Sequence, residues 1–410
     1  MSTPADAGKD GDAGGGAPVR VCYISDERFP SRWTDTQQIM KTASALARDG
    51  AAVEVVLARK WNVLFASNRA RKQKLERYYG IQADFELTQI PSVPTSRLRL
   101  EKLVHGVLSA LYAVFGGHDL VYTRDVFPLV LALLAGKRAI FESHRVLAQH
   151  YPITYRLIQL VRRRRRFLGV VTNAAFIADS YRAMGFEPER VVIAHNCFDP
   201  RDMEPALDQA AARAHLGLPA GAKIVCYSGH IQKKKGIETI VQMAARTPEL
   251  QYLICGGFPD DVAEARALAA AAGAQNLTFT GWIDVARLAP YLYAADVLLI
   301  PPTSIPLQRH GNTVLPIKTY SYLAAGRVIV APRLPDVVEV LHDGENALLV
   351  TPDDLDQAVA VVRRAVSEPG LAERLGARAA ADAPLYTWAA RAALIHRFMK
   401  QRLRAERERG

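Results

Sequence analysis

Residues 223–245 read KIVCYSGHIQKKKGIETIVQMAA: a short apolar strand at 223–228, a loop of glycine, histidine and lysine, and a helix at 236–245. A strand that feeds a helix through so short a loop is the repeating unit of a parallel sheet with helices on its faces. Downstream, strands at 251–255, 277–280, 297–301, 328–331 and 347–350 alternate with helices at 261–271, 285–294 and 318–325. Upstream, strands at 19–25, 52–57, 120–122, 139–142 and 170–172 are separated by helical periodicity, beginning with a helix at 35–48. Between the two series the pattern pauses over 193–216, a polar segment holding Pro200 and Pro205. The expected fold class is α/β, two Rossmann-like domains facing across a cleft and joined near residues 197–215. A last helix at 388–404 follows both sheets and can pack across the hinge. In open parallel sheets a ligand sits beyond the carboxyl ends of the strands, so residues just after strands are the candidates for chemistry.

At 410 residues the chain can bury two cores, and with 50% hydrophobic residues most of it should fold. The exception is residues 1–17, where Gly, Ala and Asp without large apolar partners predict a disordered tail. That stretch lacks the basic start and apolar run of a signal peptide. The longest apolar stretches, 103–115 and 129–135, fall short of the ~20 residues that cross a bilayer. Cys22, Cys197, Cys226 and Cys255 show no CxxC spacing and read as small buried hydrophobes in a reducing cytoplasm.

The net charge of +11 points to anionic partners: nucleic acid, anionic lipid or the diphosphate of an activated sugar. No aromatic interleaving or zinc-finger spacing accompanies the basic clusters, so no nucleic-acid partner is expected. The stretch 64–80 mixes Arg69, Arg71, Lys72, Lys74 and Arg77 with Tyr78 and Tyr79, and residues 162–166 are five arginines. Such basic segments read as an anionic membrane surface contact or as ordinary solvated faces.

Several segments resemble, in order, blocks of family 4 of the GT-B glycosyltransferases. They are YSGHIQKKKGIETIV (227–241), FTGWIDVARLAPYLYAADVLLIPP (279–302), LPIKTYSYLAAGRVIVAPRLPDVVEVLHDGENALLVTPDD (315–354) and YTWAARA (386–392). In the first half FESHR (141–145) and HNCFDP (195–200) match more loosely. The resemblance implies a GT-B protein with an acceptor-side domain over 18–197, a hinge at 198–215, and a nucleotide-sugar donor domain over 216–385. A crossing helix and basic tail at 386–410 would follow. It implies retaining transfer of a sugar from a nucleoside-diphosphate donor to a saccharide or lipid-linked acceptor, in envelope or exopolysaccharide synthesis at the cytoplasmic face of a membrane.

The residues fit that chemistry unevenly. Lys235, beside Gly236 at a helix start, can neutralise a departing diphosphate together with the helix N-terminus. Lys318, heading another helix, can face the same phosphates. In the loop after the first donor-domain strand the family usually places an arginine near Gly229; here it is His230, which cannot offer a bidentate fork. The two glutamates of the family pattern are replaced by Thr313 and Ser321, whose hydroxyls bond more weakly to sugar or ribose than a carboxylate does. The turn containing Asn312, Thr313 and Val314 is expected to present backbone N–H groups to the donor, and the loop with Ile283 to meet the base.

By resemblance, His144 contacts the transferred sugar. Glu142, Thr34, Asp35 and Gln38 are the acceptor-side candidates. No metal is expected, because Asp10–Asp12 and Asp354–Asp356 lie in the wrong contexts for a strand-end DxD. Two other readings stay open: a catalytically silent subunit, favoured by the missing glutamates, and a nucleotide-sugar epimerase, which would need cleft carboxylates.

Overall fold

The structure, a computed structural model, describes residues 17–31, 34–59, 67–91, 100–231, 235–310 and 315–409. The expected tail, Lys233, Lys234, Asn312, Thr313 and Val314 lie outside the described residues.

The first sheet has seven parallel strands: β1 (Arg20–Ser25), β2 (Ala52–Arg59), β3 (Glu86–Pro91), β4 (Leu120–Thr123), β5 (Ala139–Ser143), β6 (Phe167–Thr172) and β7 (Val191–Ile193). Their order is β3-β2-β1-β4-β5-β6-β7. The second has six parallel strands: β8 (Ile224–Ser228), β9 (Gln251–Cys255), β10 (Leu277–Gly281), β11 (Val297–Leu299), β12 (Val328–Pro332) and β13 (Leu348–Val350), in the order β10-β9-β8-β11-β12-β13. Both reverse direction beside their first strand, so the two switch points fall between β1 and β4 and between β8 and β11. This is the two-domain GT-B architecture.

The sequence pattern misses β3 and β7. They are the two edges of the first sheet: β3 is half exposed and mixes polar with apolar residues, and β7, Val-Val-Ile, is only three residues long. The helix expected at 285–294 is broken into a short 3-10 turn, Val285–Arg287, and a helix, Ala289–Ala294, because Pro290 cannot supply an interior N–H.

Two helical layers flank the first sheet. One holds the first helix, Thr34–Arg48, the helix Asn68–Tyr79 and the last helix, Trp388–Glu408; the other holds Leu100–Phe115, Val126–Leu134, Pro152–Val161 and Ala175–Ala183. The basic segment at 69–77 and the arginines at 162–166 therefore lie on opposite sides of the domain and form no common surface. Arg71 is buried with its guanidinium on the Phe29 carbonyl, and Leu75 and Tyr79 are core residues. Arg71 and Tyr79, two of the side chains that sequence reading offered to a membrane, thus hold that helix into the domain, while Arg69, Lys74, Arg77 and Tyr78 stay exposed.

The chain crosses between domains twice, and the crossings pair: the Phe198 N–H donates to the Tyr386 carbonyl at 3.0 Å. After the second crossing the last helix packs on the first domain, burying Trp388, Ile395, Phe398, Met399 and Leu403. From the first helix, buried Lys41 pairs with Asp199 at 3.3 Å and Asp202 at 3.2 Å in the hinge. Across the cleft Glu339 accepts from the Ala175 N–H at 2.8 Å, so a carboxylate of the second domain caps a helix N-terminus of the first. All four cysteines are buried free thiols. Among the described residues no helix is long and apolar enough to cross a membrane.

Candidate functional site

On the second domain, the loop after β8 is packed too closely to admit side chains at its glycines. Gly229 has φ +125°, and a Cβ there would lie 2.9 Å from Lys318 Nζ. Gly256, at φ +132° after β9, packs so closely that a Cβ would collide with the Gly229 carbonyl. These conformations suit glycine alone. The helix Lys318–Ala325 fixes the loop from the other side: the Ser228 N–H donates to the Tyr322 hydroxyl at 2.8 Å, and Ser228 Oγ donates to it at 3.2 Å. The Tyr227 hydroxyl closes the turn on the His230 carbonyl at 2.6 Å.

Lys318 leads that helix, and its ammonium sits 3.7 Å from the centroid of the Tyr227 ring. Burial, then the charge of Lys235, lowers its pKa from 10.5 to about 7. The two lysines singled out from the sequence are thus neighbours at the carboxyl end of β8. Lys235 is exposed, immediately before Gly236 and the helix Ile237–Arg246. A Cβ on Gly236 would meet Pro301 at 2.6 Å, which seats the helix start against the segment after β11, at the switch point. Two lysines and a helix N-terminus together suit an anion.

Ser321 is half-buried one turn into the Lys318 helix. His230 is exposed and joins an aromatic group: its ring lies 6.1 Å from both Phe258 and Trp282, which stack at 5.2 Å. Ile283, next to Trp282, is half-buried and packs its side chain against the domain core.

On the first domain, Glu142 at the end of β5 is fully buried. Its Oε1 accepts from Arg124 Nη2 at 2.6 Å, Arg391 Nη2 at 2.7 Å and His144 Nε2 at 2.8 Å. Its Oε2 accepts from the hydroxyls of Tyr122 at 2.7 Å and Tyr23 at 3.3 Å. Burial opposes the charge, but the two guanidiniums and His144 hold the carboxyl well below its usual range. Glu142 is therefore no acceptor contact. It is the hub that orients His144, with every lone pair already engaged.

Gln38 is corrected in the same way. It is buried, takes a bond from Arg124 Nη1 at 3.1 Å and gives one to Asn196 at 3.0 Å, tying the first helix to the hinge. Thr34 and Asp35 are exposed at the start of that helix, with the Asp35 carboxylate 3.8 Å from Arg145.

His144 keeps 14% of its side chain exposed. Because Nε2 faces a carboxylate that can only accept, the ring proton sits on Nε2 and Nδ1 keeps its lone pair. Burial, then Arg124, lowers its pKa to about 4, so the ring is neutral around pH 7.

Sequence reading missed Arg124 and Arg391. Arg391 lies within the YTWAARA segment, whose helical pattern was visible. Nothing local could show that its side chain reaches β5: besides Glu142 it bonds the His195 carbonyl at 3.1 Å and Thr42 Oγ1 at 3.2 Å.

Comparison with known proteins agrees with this fold. The family model described as Glycosyltransferase Family 4 matches residues 36–202, and that described as Glycosyl transferases group 1 matches residues 208–382. The lipopolysaccharide core biosynthesis glycosyltransferase LpsE of Rhizobium meliloti is 30% identical over 210 residues, covering 51% of this chain and 57% of LpsE. The chain spans about half the length of the curated relatives it matches. Among solved structures, sucrose-phosphate synthase from Thermosynechococcus elongatus superposes with a TM-score of 0.70 at 20% identity, over 94% of this chain and 100% of that one. HepE of Anabaena, solved with UDP and also with UDP-glucose, gives 0.72 at 16% identity for the UDP complex, over 93% of this chain and 100% of its own. These two likenesses speak for the fold. With one family model on each half and the shared two-domain architecture, the chain belongs to the GT-B glycosyltransferases of family 4, group 1.

Proposed function

We propose that the protein transfers a glycosyl group from a nucleoside-diphosphate sugar, with UDP as the leading base choice, to a saccharide or lipid-linked acceptor, with retention and without a metal. The observation that carries this reading is the pairing of Lys318 and Lys235 at the carboxyl end of β8. As the bond between the anomeric carbon and the diphosphate oxygen breaks, negative charge grows on the leaving group, and two lysines and a helix N-terminus stand where it would grow. UDP is preferred because HepE, of like fold, binds UDP and UDP-glucose.

His144 enters from the opposite domain. Its Nδ1 lone pair accepts a hydrogen bond from a sugar hydroxyl and fixes the pyranose while the anomeric centre reacts. In a same-face reaction the donor's own phosphate oxygen takes the acceptor proton, so no second carboxylate is required. Ser321 contacts the ribose, and the exposed residues Thr34 and Asp35 meet the acceptor. Envelope or exopolysaccharide synthesis is the setting this chemistry fits.

The test is thermal stability of the purified protein with UDP-, GDP-, ADP- and dTDP-sugars in EDTA, followed by turnover. A ligand at ~100 times its dissociation constant adds roughly 2.7 kcal/mol. A shift with one nucleotide family, lost in Lys235→Ala and Lys318→Met, is the expected result. No shift with any nucleotide would replace this reading with a catalytically silent subunit.

A further inference from the structure

The first domain turns an apolar face to solvent. In the helix Leu100–Phe115, Leu103, Val107, Leu111 and Phe115 recur every fourth position and are all exposed, Phe115 at 83%. The opposite side of that helix, with Ser109, Ala110 and Ala113, is buried against the sheet. The next helix, Val126–Leu134, packs directly beside it, with Phe127 against Gly106, and adds exposed Phe127 and Leu134. The third helix, Pro152–Val161, packs on the second and adds Ile153 at 70% and Leu160 at 71%. Three neighbouring helices thus present one apolar surface, wider than the scattered exposed leucines of an ordinary soluble domain.

Charge identifies what covers it. From residue 103 to residue 118 the chain has no Asp, Glu, Lys or Arg; from 126 to 136 it has none; and from 146 to 161 it has only Arg156. The face carries no acidic side chain. Where the third helix ends, residues 162–166 are arginines. Arg163 and Arg164 are exposed, and no ion pair engages them among the described residues. The border sets Glu101, Asp119 and Asp125 against Lys102, Lys137, Arg138 and the five arginines, so it is predominantly cationic and matches a bilayer with anionic headgroups: the apolar side chains enter the acyl boundary while the arginines stay at the phosphates. Each of the three helices follows a strand and starts at the cleft end of its sheet. Leu103, Phe127 and Ile153 are therefore nearest the cleft mouth.

We infer that this three-helix face docks the protein on an anionic lipid surface. The inference rests on the proposed function only for its choice of a lipid-linked acceptor; the docking itself needs no donor chemistry.

The test is cosedimentation of the full chain with vesicles of phosphatidylcholine alone and of phosphatidylcholine mixed with phosphatidylglycerol. The variants are Leu111→Asn/Phe115→Asn and Arg163→Ser/Arg164→Ser, each with an unchanged far-UV spectrum and melting midpoint. The wild type is expected to partition onto the anionic vesicles and only weakly onto the neutral ones. The apolar variant should lose at least tenfold in partitioning even at low salt, and the arginine variant should lose most of its salt dependence. Unchanged partitioning of the apolar variant overturns the inference. So does a wild type that ignores vesicles but sediments as a dimer that the apolar variant dissociates, since the face would then cover a second copy. Failure here with an intact nucleotide-induced thermal shift leaves the donor-site reading standing, and the reverse pattern leaves the docking standing.

Discussion

Arg391 and Glu142, 249 positions apart, meet at 2.7 Å inside the first domain, so the last helix supplies a cation to the residue that orients His144. The crossing helix is for this reason part of the site as well as a brace across the hinge. Removing one member of a buried ion pair leaves the other uncompensated and costs about 3–5 kcal/mol. Arg391→Met is expected to lower stability by that order in urea unfolding. Arg391→Lys should fall between, keeping the charge but losing the bonds to Thr42 and the His195 carbonyl. An Arg391→Met protein as stable as the wild type would remove the pair from the fold's support.

Lys318 gives up its proton at about pH 7 in the fold and at 10.5 when unperturbed. The unfolded chain therefore binds more protons between those values, and the stability that Lys318 withholds at low pH returns as pH rises through that window. A diphosphate selects the charged form. Affinity for UDP should accordingly fall by up to tenfold per pH unit above 7, with proton uptake on binding. Titration calorimetry in two buffers of different ionisation enthalpy reads this directly, and Lys318→Met should abolish the uptake. Binding at pH 8 without proton uptake in the wild type would exclude Lys318 from the phosphate site.

His144 stays neutral until pH falls to about 4, against an unperturbed 6.5. Its contribution to folding is thus lost progressively as pH drops from 6.5 toward 4. Between pH 5 and 7 the rate profile should show no ionisation attributable to this ring. His144→Ala removes one uncharged hydrogen bond to the sugar, worth about 0.5–1.5 kcal/mol, and should lower kcat/KM by about tenfold. A bell centred near pH 6.5 that disappears in His144→Ala would show the ring titrating and acting as an acid or base.

Gly256→Ala places a methyl group on the Gly229 carbonyl in a backbone region side chains rarely adopt. The expected cost is about 1–3 kcal/mol, with loss of the nucleotide-induced thermal shift because the loop under Lys318 must move. A variant that keeps the full shift would show that the loop tolerates displacement without harm to the donor site.

How far the sequence carried can be judged from single residues. The alternation of strands and helices was legible because each element writes its own period: β8 as an apolar run, the helix Lys318–Ala325 with bounds correct to the residue. β3 was not legible because an edge strand is buried by fewer neighbours and needs less apolar sequence, and β7 because its apolar run is only three residues long. Lys235 and Lys318 could be singled out because cations at helix starts are a local feature of the sequence, and the fold makes them neighbours. Gln38 and Glu142 were misplaced because polarity shows that a side chain needs partners and leaves open whether those are a ligand or the protein.

The sequence by itself determined the alternation of strands and helices, the doubling of the domain and the family, all of which rest on short-range periodicity and contiguous motifs. Tertiary structure alone decided three other matters. It brought Arg391 to Glu142, it buried Arg71 inside a helix that reads as a basic surface, and it left Leu103, Val107, Leu111 and Phe115 outside. The physical reason is common to all three. A helix apolar on every side, or a guanidinium on a long stem, has several faces that could be buried. Only the packing of segments distant in sequence selects which one loses water.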